Sequence, residues 1–335
     1  MTALHIEFET VHKPAARKPQ AGAFSDVSVF LSSDFTLDSG EHLSRPEFRV
    51  RAYGDLENPA IVVAGGISAG RCVADCKDGE GWWRDVVCTG GAVDTSRFCV
   101  IGFDFLPNAG EAARTITTAD HARAIADALD VLGIEKLYAF AGASYGGMIG
   151  LAFAALYPHR IEKLCAISAP DRAHPAATAL RGVQRRIIDL AAKGGDAQAG
   201  VALARQLAMV TYRTPEEFEQ RFEGAPGAAA GDPYDVCDYL IARGNAYGMD
   251  PKRYLTLSDS IDRHRVEPTA IKTETLIIAA TSDRLAPLAD LKRLAAGIDG
   301  ARFVELPSLY GHDAFLKEAA AIGPRIKTFL EETLS

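Results

Sequence analysis

The stretch Gly142-Ala143-Ser144-Tyr145-Gly146 separates two segments of different character. A short apolar run, residues 136–141, precedes it, and a helix-forming run that ends at Tyr157 follows at once. This is the sequence form of a strand, a tight turn and a helix, the pattern called a nucleophile elbow. Glycines two before and two after Ser144 leave room for neighbouring segments to close around a strained serine. The pattern predicts that the Ser144 hydroxyl is presented at the top of a sheet.

A dinucleotide-binding loop is the alternative for a glycine-containing turn between a strand and a helix. Its G-x-G-x-x-G spacing is not met, because the residue two after Gly142 is Ser144 and no acidic residue stands at the expected distance beyond it. An ordinary strand-to-helix turn is the other interpretation of these five residues. The rest of the sequence must show whether Ser144 lies in an ordinary turn or is a nucleophile.

Composition sets the class of protein. The 335 residues suffice for one large core, or for one domain with an insertion. The net charge of -8 and the lack of a basic run argue against a nucleic-acid partner. No run approaches the roughly 20 apolar residues of a membrane span, and residues 1–20 lack the apolar region of a signal peptide. We therefore expect a cytoplasmic protein that contacts neither nucleic acid nor membrane.

The six cysteines follow no disulfide framework, and several lie in apolar runs, which predicts reduced thiols. Cys72 and Cys76 are spaced like half of a metal site, but no second cysteine or histidine pair accompanies them. We therefore expect neither a bound metal ion nor a permanently bound cofactor.

Continuous apolar runs, typical of strands buried on both faces, recur along the chain at residues 60–64, 98–103, 163–168 and 275–280. A helix-period segment at 118–134 precedes the strand before Ser144, and the alternation predicts a mostly parallel α/β sheet flanked by helices. Two alternating runs, Phe35–Gly40 and Phe48–Gly54, predict an antiparallel pair at the sheet edge.

The strand signal disappears between residues 171 and 268, where helical spacing dominates and Thr214-Pro215-Glu216-Glu217 forms a helix start. We assign 171–268 to a helical lid inserted in a core of residues 26–170 and 269–335, and 1–25 to a flexible arm. A Gly/Ala/Pro loop is expected at Gly224–Pro233. A final helix from Asp313 to Leu334 is expected to break at Gly323-Pro324.

A serine needs a base to become a nucleophile, and the base needs an orienting acid. In the chain order Ser, Asp, His, the acid follows a late strand and the histidine follows the last one. Asp283 directly follows the run 275–280, and His312 follows a predicted strand at 302–306. Both therefore lie at the carboxyl edge of the sheet, with Ser144. The three together predict a catalytic triad, although a lone aspartate in such a loop is usually a helix cap.

Acyl transfer also needs two backbone N–H donors for the oxyanion. One comes from the residue after the nucleophile, Tyr145, and the other from the loop after an earlier strand. That loop is Gly65-Gly66-Ile67-Ser68, and Ile67 is the predicted second donor. A plain turn is the structural alternative for these residues.

Several stretches go beyond a generic α/β-hydrolase fold. From about residue 35 the chain resembles the homoserine O-acyltransferase family of methionine biosynthesis. The stretches that resemble it, besides the elbow and Met148, are Gly81-Trp82-Trp83, Asp94-Thr95-Ser96-Arg97-Phe98, Gln184-Arg185-Arg186-Ile187, Leu203-Ala204-Arg205-Gln206, Thr211-Tyr212-Arg213 and Gly311-His312-Asp313-Ala314-Phe315-Leu316.

The resemblance implies an α/β-hydrolase fold and transfer of an acyl group from acyl-CoA, as cosubstrate, to the hydroxyl of homoserine by a ping-pong route. Ser144 would take up the acyl group and His312 would deprotonate the alcohol. Arg213 matches the family's arginine for the amino acid's carboxylate, and Asp313 matches the residue facing its amino group. The family also implies a homodimer formed through the lid.

The chain departs from many members at Gly65-Gly66-Ile67-Ser68, at Ala143 and at Tyr145, all near the predicted acyl pocket. Short members with this loop look most like the succinyl-transferring branch, so we expect succinyl rather than acetyl transfer. Arg71 or Arg181 is the predicted contact for a succinyl carboxylate. A serine hydrolase, serine as the acceptor, and a binding protein without catalysis are the alternatives.

Overall fold

The computed structural model describes residues 24–31, 35–108, 110–222 and 234–332. The strands are β1 Phe24–Phe30, β2 Phe35–Thr36, β3 His42–Leu43, β4 Glu47–Tyr53, β5 Ala60–Ala64, β6 Val87–Cys88, β7 Val93–Asp94, β8 Cys99–Phe103, β9 Leu137–Ala143, β10 Ile161–Ile167, β11 Glu274–Ala280 and β12 Arg302–Leu306. The α-helices are α1 Thr118–Val131, α2 Tyr145–Leu156, α3 Pro175–Lys193, α4 Ala197–Tyr212, α5 Pro215–Arg221, α6 Asp235–Asn245, α7 Pro251–Arg263, α8 Leu288–Gly297, α9 Ala314–Lys317 and α10 Ala319–Glu331. Short 3₁₀ helices occupy Pro158–Arg160, Pro268–Ala270 and Gly311–Asp313.

One eight-stranded sheet organises the fold, in the order β1-β4-β8-β5-β9-β10-β11-β12. Every pair from β8 to β12 is parallel, while β1 and β4 are antiparallel strands at one edge. Strands β5 and β8 are buried at every position, as their continuous apolar sequence requires in a sheet covered on both faces. The predicted mostly parallel sheet flanked by helices is confirmed.

Two hydrophobic clusters lie on the two faces of this sheet. Val62 and Phe140 belong to one cluster, together with apolar residues of α1, α2 and α8. Their neighbours Ile61 and Ala141 point the other way and join a cluster with Trp83 and apolar residues of α10. Alternation along each strand produces the two layers. The ends of the strands, between these two clusters, are not covered by either of them and are available for a functional site.

The chain between β10 and β11 is helical in its described part, from α3 to α7. Helices α3, α4 and α7 share a separate small core, formed by Ile188, Val201, Ala204 and Tyr254. Helix α6 approaches α4 closely, since a Cβ on Gly244 would lie 2.5 Å from the carbonyl oxygen of Ala202. The block therefore packs as a unit over the carboxyl ends of the strands.

Helix α7 has no counterpart among the predicted elements. It begins after an Asp250 cap with Pro251 at its first position, and Tyr254 and Leu257 are buried. The side chain of Thr118 at the start of α1 contacts His264 Nδ1 at 2.7 Å, at the end of α7. The lid is thereby attached to the core through α7. The cap, the proline and the apolar spacing are signals that could have predicted this helix.

Three predictions about the strands and helices differ from the structure. The run Phe48–Gly54 pairs as β4 with β1 and β8, whereas Phe35 pairs in a separate hairpin, so the predicted edge pair is wrong. Strand β1 begins at Phe24, which places the last two residues of the predicted arm in the sheet. The terminal helix breaks at Glu318 rather than at Gly323-Pro324, and Pro324 lies inside α10 as its sixth residue.

Some predictions fall on residues that the structure does not describe, namely the arm up to residue 23 and the loop at Gly224–Pro233. Within the described ranges, no helix is long and apolar enough to cross a lipid bilayer.

Candidate active site

Ser144 connects β9 to α2 with a backbone φ of 53° and ψ of -122°, outside the usual regions for a non-glycine residue. The flanking glycines make this turn possible. A Cβ on Gly142 would lie 2.5 Å from the Gly146 oxygen, and one on Gly146 would lie 2.3 Å from Ala64. Because no side chain fits at either position, the strand, the turn and α2 can close around Ser144.

His312 lies between Ser144 and Asp283. Its Nε2 is 2.7 Å from Ser144 Oγ, and its Nδ1 is 2.7 Å from Asp283 Oδ2. The other oxygen of Asp283 accepts the backbone N–H groups of Leu285 and Ala286 at 2.8 and 3.0 Å. These bonds fix the carboxylate after β11. The structure thus brings the three predicted triad residues into one hydrogen-bonded line.

The segment before His312 also needs a glycine. Gly311 has a φ of +56°, and a Cβ there would lie 2.6 Å from the carbonyl oxygen of Tyr212 at the end of α4. The last turn of α4, a helix of the lid, therefore touches the backbone that holds the histidine. This contact is a structural reason for the Gly311-His312 pair quoted from the sequence.

The pKa of His312 is raised above its ordinary value of 6.5. Burial by itself lowers it, but the charge of Asp283 and the hydrogen bond to it act in the opposite direction, with a smaller contribution from Asp313. Arg181 lowers it slightly. The net effect favours the protonated imidazole, so His312 is a stronger base than a free histidine.

The predicted oxyanion donors lie on two segments that a hydrogen bond joins. Gly146 N donates to Gly65 O at 2.8 Å, which sets the loop after β5 beside the start of α2. In the described part of the chain, the amides of Ile67 and Tyr145 donate to no other backbone group. Both amides are therefore available to a ligand, as an oxyanion site requires.

The loop after β5 is held from two sides. Trp82 Nε1 donates to Gly70 O at 3.1 Å, and the ring of Trp82 leaves no space for a Cβ on Gly65. On the lid side, Ser68 Oγ lies 2.8 Å from the hydroxyl of Tyr247. The position of the Ile67 amide thus depends on both the core and the lid.

The side chain of Tyr145 lies away from the cavity, in a role that the sequence did not predict. It is fully buried, and its hydroxyl is 2.7 Å from Ser260 Oγ in α7 and 3.2 Å from His121 Nδ1 in α1. Burial raises the pKa of Tyr145 and lowers that of His121 to about 4, so both are neutral near pH 7. One residue thus offers its amide to the site and its side chain to the lid.

A cavity of about 200 Å³ opens between the elbow and the lid. Ser144 and His312 border it on the core side, and α3, α4 and α7 border it on the lid side. Its lid wall is largely apolar but includes polar and charged side chains, namely Arg181, Gln184, Arg205, Tyr212, Tyr254 and Ser258. Such a mostly apolar pocket with a few polar groups is typical of a small-molecule site.

The residues predicted to contact substrate are distributed unevenly around this cavity. Asp313 borders it, whereas Arg213 lies behind Asp313, with Nε 3.4 Å from its carboxylate and Nη1 3.3 Å from Glu217. Arg181 borders the cavity and pairs with Asp262 at 2.6 Å.

Arg71 does not border the cavity. It pairs with Asp104 and, at 3.3 Å, with Asp26 near the β1 edge of the sheet. The structure therefore separates the two arginines that the sequence had offered for a succinyl carboxylate.

Arg205 borders the cavity and received no role from the sequence. It lies on α4, whose remaining residues are all uncharged. A single arginine on an Ala- and Leu-rich helix was the signal that could have identified it.

Cys72 and Cys76 lie around a buried guanidinium. Arg51 Nη1 is 3.4 and 3.1 Å from their sulfur atoms, and the same arginine pairs with Asp26 and Asp78. Both thiols are free. In the ranges that the structure describes, no three His, Cys, Asp or Glu side chains are grouped to hold a metal ion.

The geometry defines a serine with an adjacent histidine base and an orienting carboxylate, on a sheet of the hydrolase type. The sequence pattern of the alpha/beta hydrolase fold family matches residues 59–319. The chain is 42% identical over 300 residues to a homoserine O-succinyltransferase of Xanthomonas campestris, covering 87% of this chain and 81% of that protein.

Two further relatives and one solved structure are similar. The chain is 31% identical to a homoserine O-acetyltransferase of Thermus thermophilus (88% of this chain, 89% of the relative) and 30% identical to a serine O-succinyltransferase of Litchfieldella anticariensis (83% and 89%). A crystal structure of homoserine O-acetyltransferase from Bacillus anthracis superposes with a TM-score of 0.85 at 19% identity, covering 93% of this chain and 99% of that one. The chain belongs to the homoserine O-acyltransferase family of the α/β-hydrolase fold and is an O-acyltransferase.

Proposed function

We propose that the protein transfers an acyl group from acyl-CoA to the hydroxyl of L-homoserine in two steps, with succinyl preferred over acetyl. The observation that supports this most directly is the Ser144, His312 and Asp283 line in a chain 42% identical to a homoserine O-succinyltransferase. The ester formed would belong to methionine biosynthesis, as the family resemblance implies.

In the first step, Ser144 Oγ gives its proton to His312 Nε2 and attacks the thioester carbonyl. The amides of Tyr145 and Ile67 donate to the oxygen as its negative charge develops. Collapse of the tetrahedral intermediate breaks the carbon–sulfur bond, and the imidazolium returns the proton to the leaving coenzyme A thiolate. The acyl group is then held as an ester of Ser144.

In the second step, homoserine enters after coenzyme A has left. His312 removes the proton from the incoming hydroxyl, whose oxygen attacks the acyl ester. The second tetrahedral intermediate expels Ser144 Oγ, which takes the proton back from His312. The same base and the same donors thus serve both steps, and the raised pKa of His312 suits the deprotonation of an alcohol.

The acceptor's charges match the groups at one end of the cavity. Asp313 borders the cavity and would accept the ammonium group. Arg213, which the family resemblance assigns to the carboxylate, lies behind Asp313, with Nε 3.4 Å from its carboxylate. A guanidinium and a carboxylate pair well through parallel hydrogen bonds. L-Serine is the second candidate acceptor, favoured by the 30% identity to a serine O-succinyltransferase.

The test separates transfer from hydrolysis. Purified protein is mixed with succinyl-CoA or acetyl-CoA, and intact mass is measured before and after L-homoserine, L-serine or buffer is added. We expect a succinyl adduct on the wild type, its loss with homoserine, and no adduct on Ser144→Ala. Ser39→Ala, an exposed serine, is the matched control. Coenzyme A release at the same rate without any amino acid would identify an esterase instead.

We also propose that the chain forms a homodimer through the lid. Helix α3 exposes Val183 and Leu190, and α4 exposes Leu203 and Val210, in each case seven residues apart and so on one side of the helix. A second copy would cover these apolar side chains. Sedimentation of a Leu190→Glu and Leu203→Glu double variant should show a monomer. Leu56→Glu, at an equally exposed leucine outside the lid, should sediment like the wild type.

A further inference from the structure

Glu217 is a buried carboxylate at the start of the lid helix α5, and no step of the proposed transfer uses it. Thr214 caps this helix, and its Oγ1 accepts the Glu217 N–H at 3.0 Å. In a capping box the glutamate side chain bonds back to the backbone N–H of the cap residue. Within the described part of the chain the Glu217 side chain makes no such bond, and its carboxylate lies against cationic side chains instead.

Three cations surround this carboxylate. Glu217 Oε1 is 3.3 Å from Arg213 Nη1, 3.4 Å from Lys317 Nζ and 3.6 Å from Arg221 Nη1. The side chains of Lys317 and Arg221 are 33% and 37% exposed, whereas those of Glu217 and Arg213 are 2% and 6% exposed. The pair of Glu217 with Arg213 is therefore the buried one, and each of the two charges needs the other as a counter-charge.

Arg213 is shared between two carboxylates and bonds tightly to neither. Its Nε donates to Asp313 Oδ2 at 3.4 Å, while Nη1, 3.3 Å from Glu217, is buried and makes no hydrogen bond within the described ranges. Charged N–H to carboxylate bonds are usually 2.7–2.9 Å long. The guanidinium thus lies between Glu217 and Asp313 and keeps hydrogen-bonding capacity for a further partner.

An acceptor that carries both an ammonium and a carboxylate group explains why this matters. Its site needs an anion and a cation side by side, but two such side chains attract each other and can close into a pair of their own. A short bond between Arg213 and Asp313 would occupy both groups. The attraction of Arg213 to Glu217 opposes that closure, because it acts on the same guanidinium from the other side.

We propose that Glu217 is a positioning residue for the acceptor: its charge holds Arg213 back from Asp313, so that both remain free to bind the two charges of an amino acid. This inference rests on the proposed transfer to an amino-acid hydroxyl. It gives the lid helix α5 a part in acceptor recognition through a residue that itself contacts no substrate.

The second half-reaction tests this, because it contains the acceptor and no coenzyme A. Wild type and Glu217→Gln are acylated with whichever donor the wild type takes up and are then freed of coenzyme A. Each is mixed with L-homoserine or with 1-propanol, an alcohol without charges, and loss of the acyl group is followed by intact mass. Glutamine has the shape of glutamate, so the variant removes only the charge.

For Glu217→Gln we expect the half-saturating homoserine concentration to rise on the order of 10-fold, the value of one hydrogen bond to a charged group. The rate at saturating homoserine and the rate with 1-propanol should stay near those of the wild type. Glu217→Asp keeps the charge on a shorter side chain, so its half-saturating concentration should lie between those of wild type and Glu217→Gln.

Glu216→Gln is the matched control, since Glu216 is the exposed neighbour on the same helix. It should behave as the wild type with both alcohols. Equal losses with homoserine and 1-propanol in Glu217→Gln, or a variant that no donor acylates, would assign Glu217 to the fold and overturn the proposal. A Glu217→Asp variant as impaired as Glu217→Gln would also overturn it, because the charge would then not be the cause.

The wild-type measurement distinguishes this inference from the proposed function. A wild type that takes up no acyl group on Ser144, or whose acyl group leaves no faster with an amino acid than with buffer, would overturn the proposed transfer and this inference with it. A wild type that reacts with homoserine beside an unchanged Glu217→Gln would overturn the role of Glu217 alone.

Discussion

Replacing Asp283 by asparagine tests how the histidine is prepared for catalysis. In the wild type the carboxylate lies 2.7 Å from His312 Nδ1, and the Asp283 side chain has no exposed surface. Nδ1 therefore holds the proton, and Nε2 is left to accept the proton of Ser144. An asparagine amide can donate to Nδ1 instead, which would move the proton to Nε2, where it faces Ser144.

The expected loss follows from these two changes. A charged hydrogen bond in a buried site is worth about 1.5–3 kcal/mol, and the wrong tautomer adds to the loss. An equivalent change in other triads lowers kcat by about 10⁴, or about 5.4 kcal/mol of activation free energy. We expect a decrease of that order in the rate of Ser144 acylation by succinyl-CoA.

The pH dependence of the acylation rate is a second, independent test of the role of Asp283. Neutral His312 is the active form, so wild-type acylation should fall as the pH falls through a pKa that lies above 6.5. Without the carboxylate, burial remains as the main influence and lowers that pKa. The residual activity of Asp283→Asn should therefore have its midpoint at lower pH than the wild type.

Single-turnover acylation, followed by intact mass between pH 5 and 9, measures both effects. Asp290→Asn is the matched control, because Asp290 is also buried but pairs with Arg293 at the start of α8. It should retain the wild-type rate and midpoint. An Asp283→Asn variant within tenfold of the wild type, or with an unchanged midpoint, would refute the proposed role of Asp283.

Two further predictions concern stability. Tyr145→Phe removes the hydroxyl that lies 2.7 Å from Ser260 Oγ, so the free energy of unfolding measured in urea should fall by about 1–3 kcal/mol. Tyr234→Phe, at an exposed tyrosine, should change it by less than about 0.5 kcal/mol. Equal effects of the two variants would contradict a stabilising role for the buried Tyr145 hydroxyl. Burial lowers the pKa of His121 to about 4 and that of His264 to about 3, below the unfolded value of 6.5. The unfolded chain therefore binds more protons than the folded chain as the pH falls. The free energy of unfolding should decrease by about 2 kcal/mol per histidine from pH 7 to pH 5. Urea unfolding of His264→Gln should show roughly half of the wild-type decrease over these pH values, and an identical decrease would exclude His264 as a source.

Features that depend on short stretches of sequence were predictable. The Ser144 turn needs glycines at fixed positions, and the buried parallel strands need continuous apolar runs. Asp283 and His312 could be placed because parallel strands end at the same edge of the sheet. The fold class and the relative position of these three residues therefore follow from local patterns and chain order.

Features that depend on packing between distant segments were not predictable. One partner of β4 is the strand β1 at Phe24–Phe30, whose mixed polar and apolar residues gave no signal strong enough to assign it. Arg213 could be matched to a role, but not to its ion pairs with Glu217 and Asp313. Such pairs arise from the docking of the lid, which spacing within one segment does not encode.

The lid contributes to the geometry of the proposed oxyanion site as well as to the walls of the cavity. The residue that offers one amide, Tyr145, bonds through its side chain to Ser260 of α7. The loop that offers the other amide, at Ile67, bonds through Ser68 to Tyr247, and the ring of Tyr247 also stacks on Arg205. Both proposed oxyanion donors are therefore positioned through side chains of the lid, so a change in the position of α7 or of Tyr247 would alter the donors as well as the cavity wall.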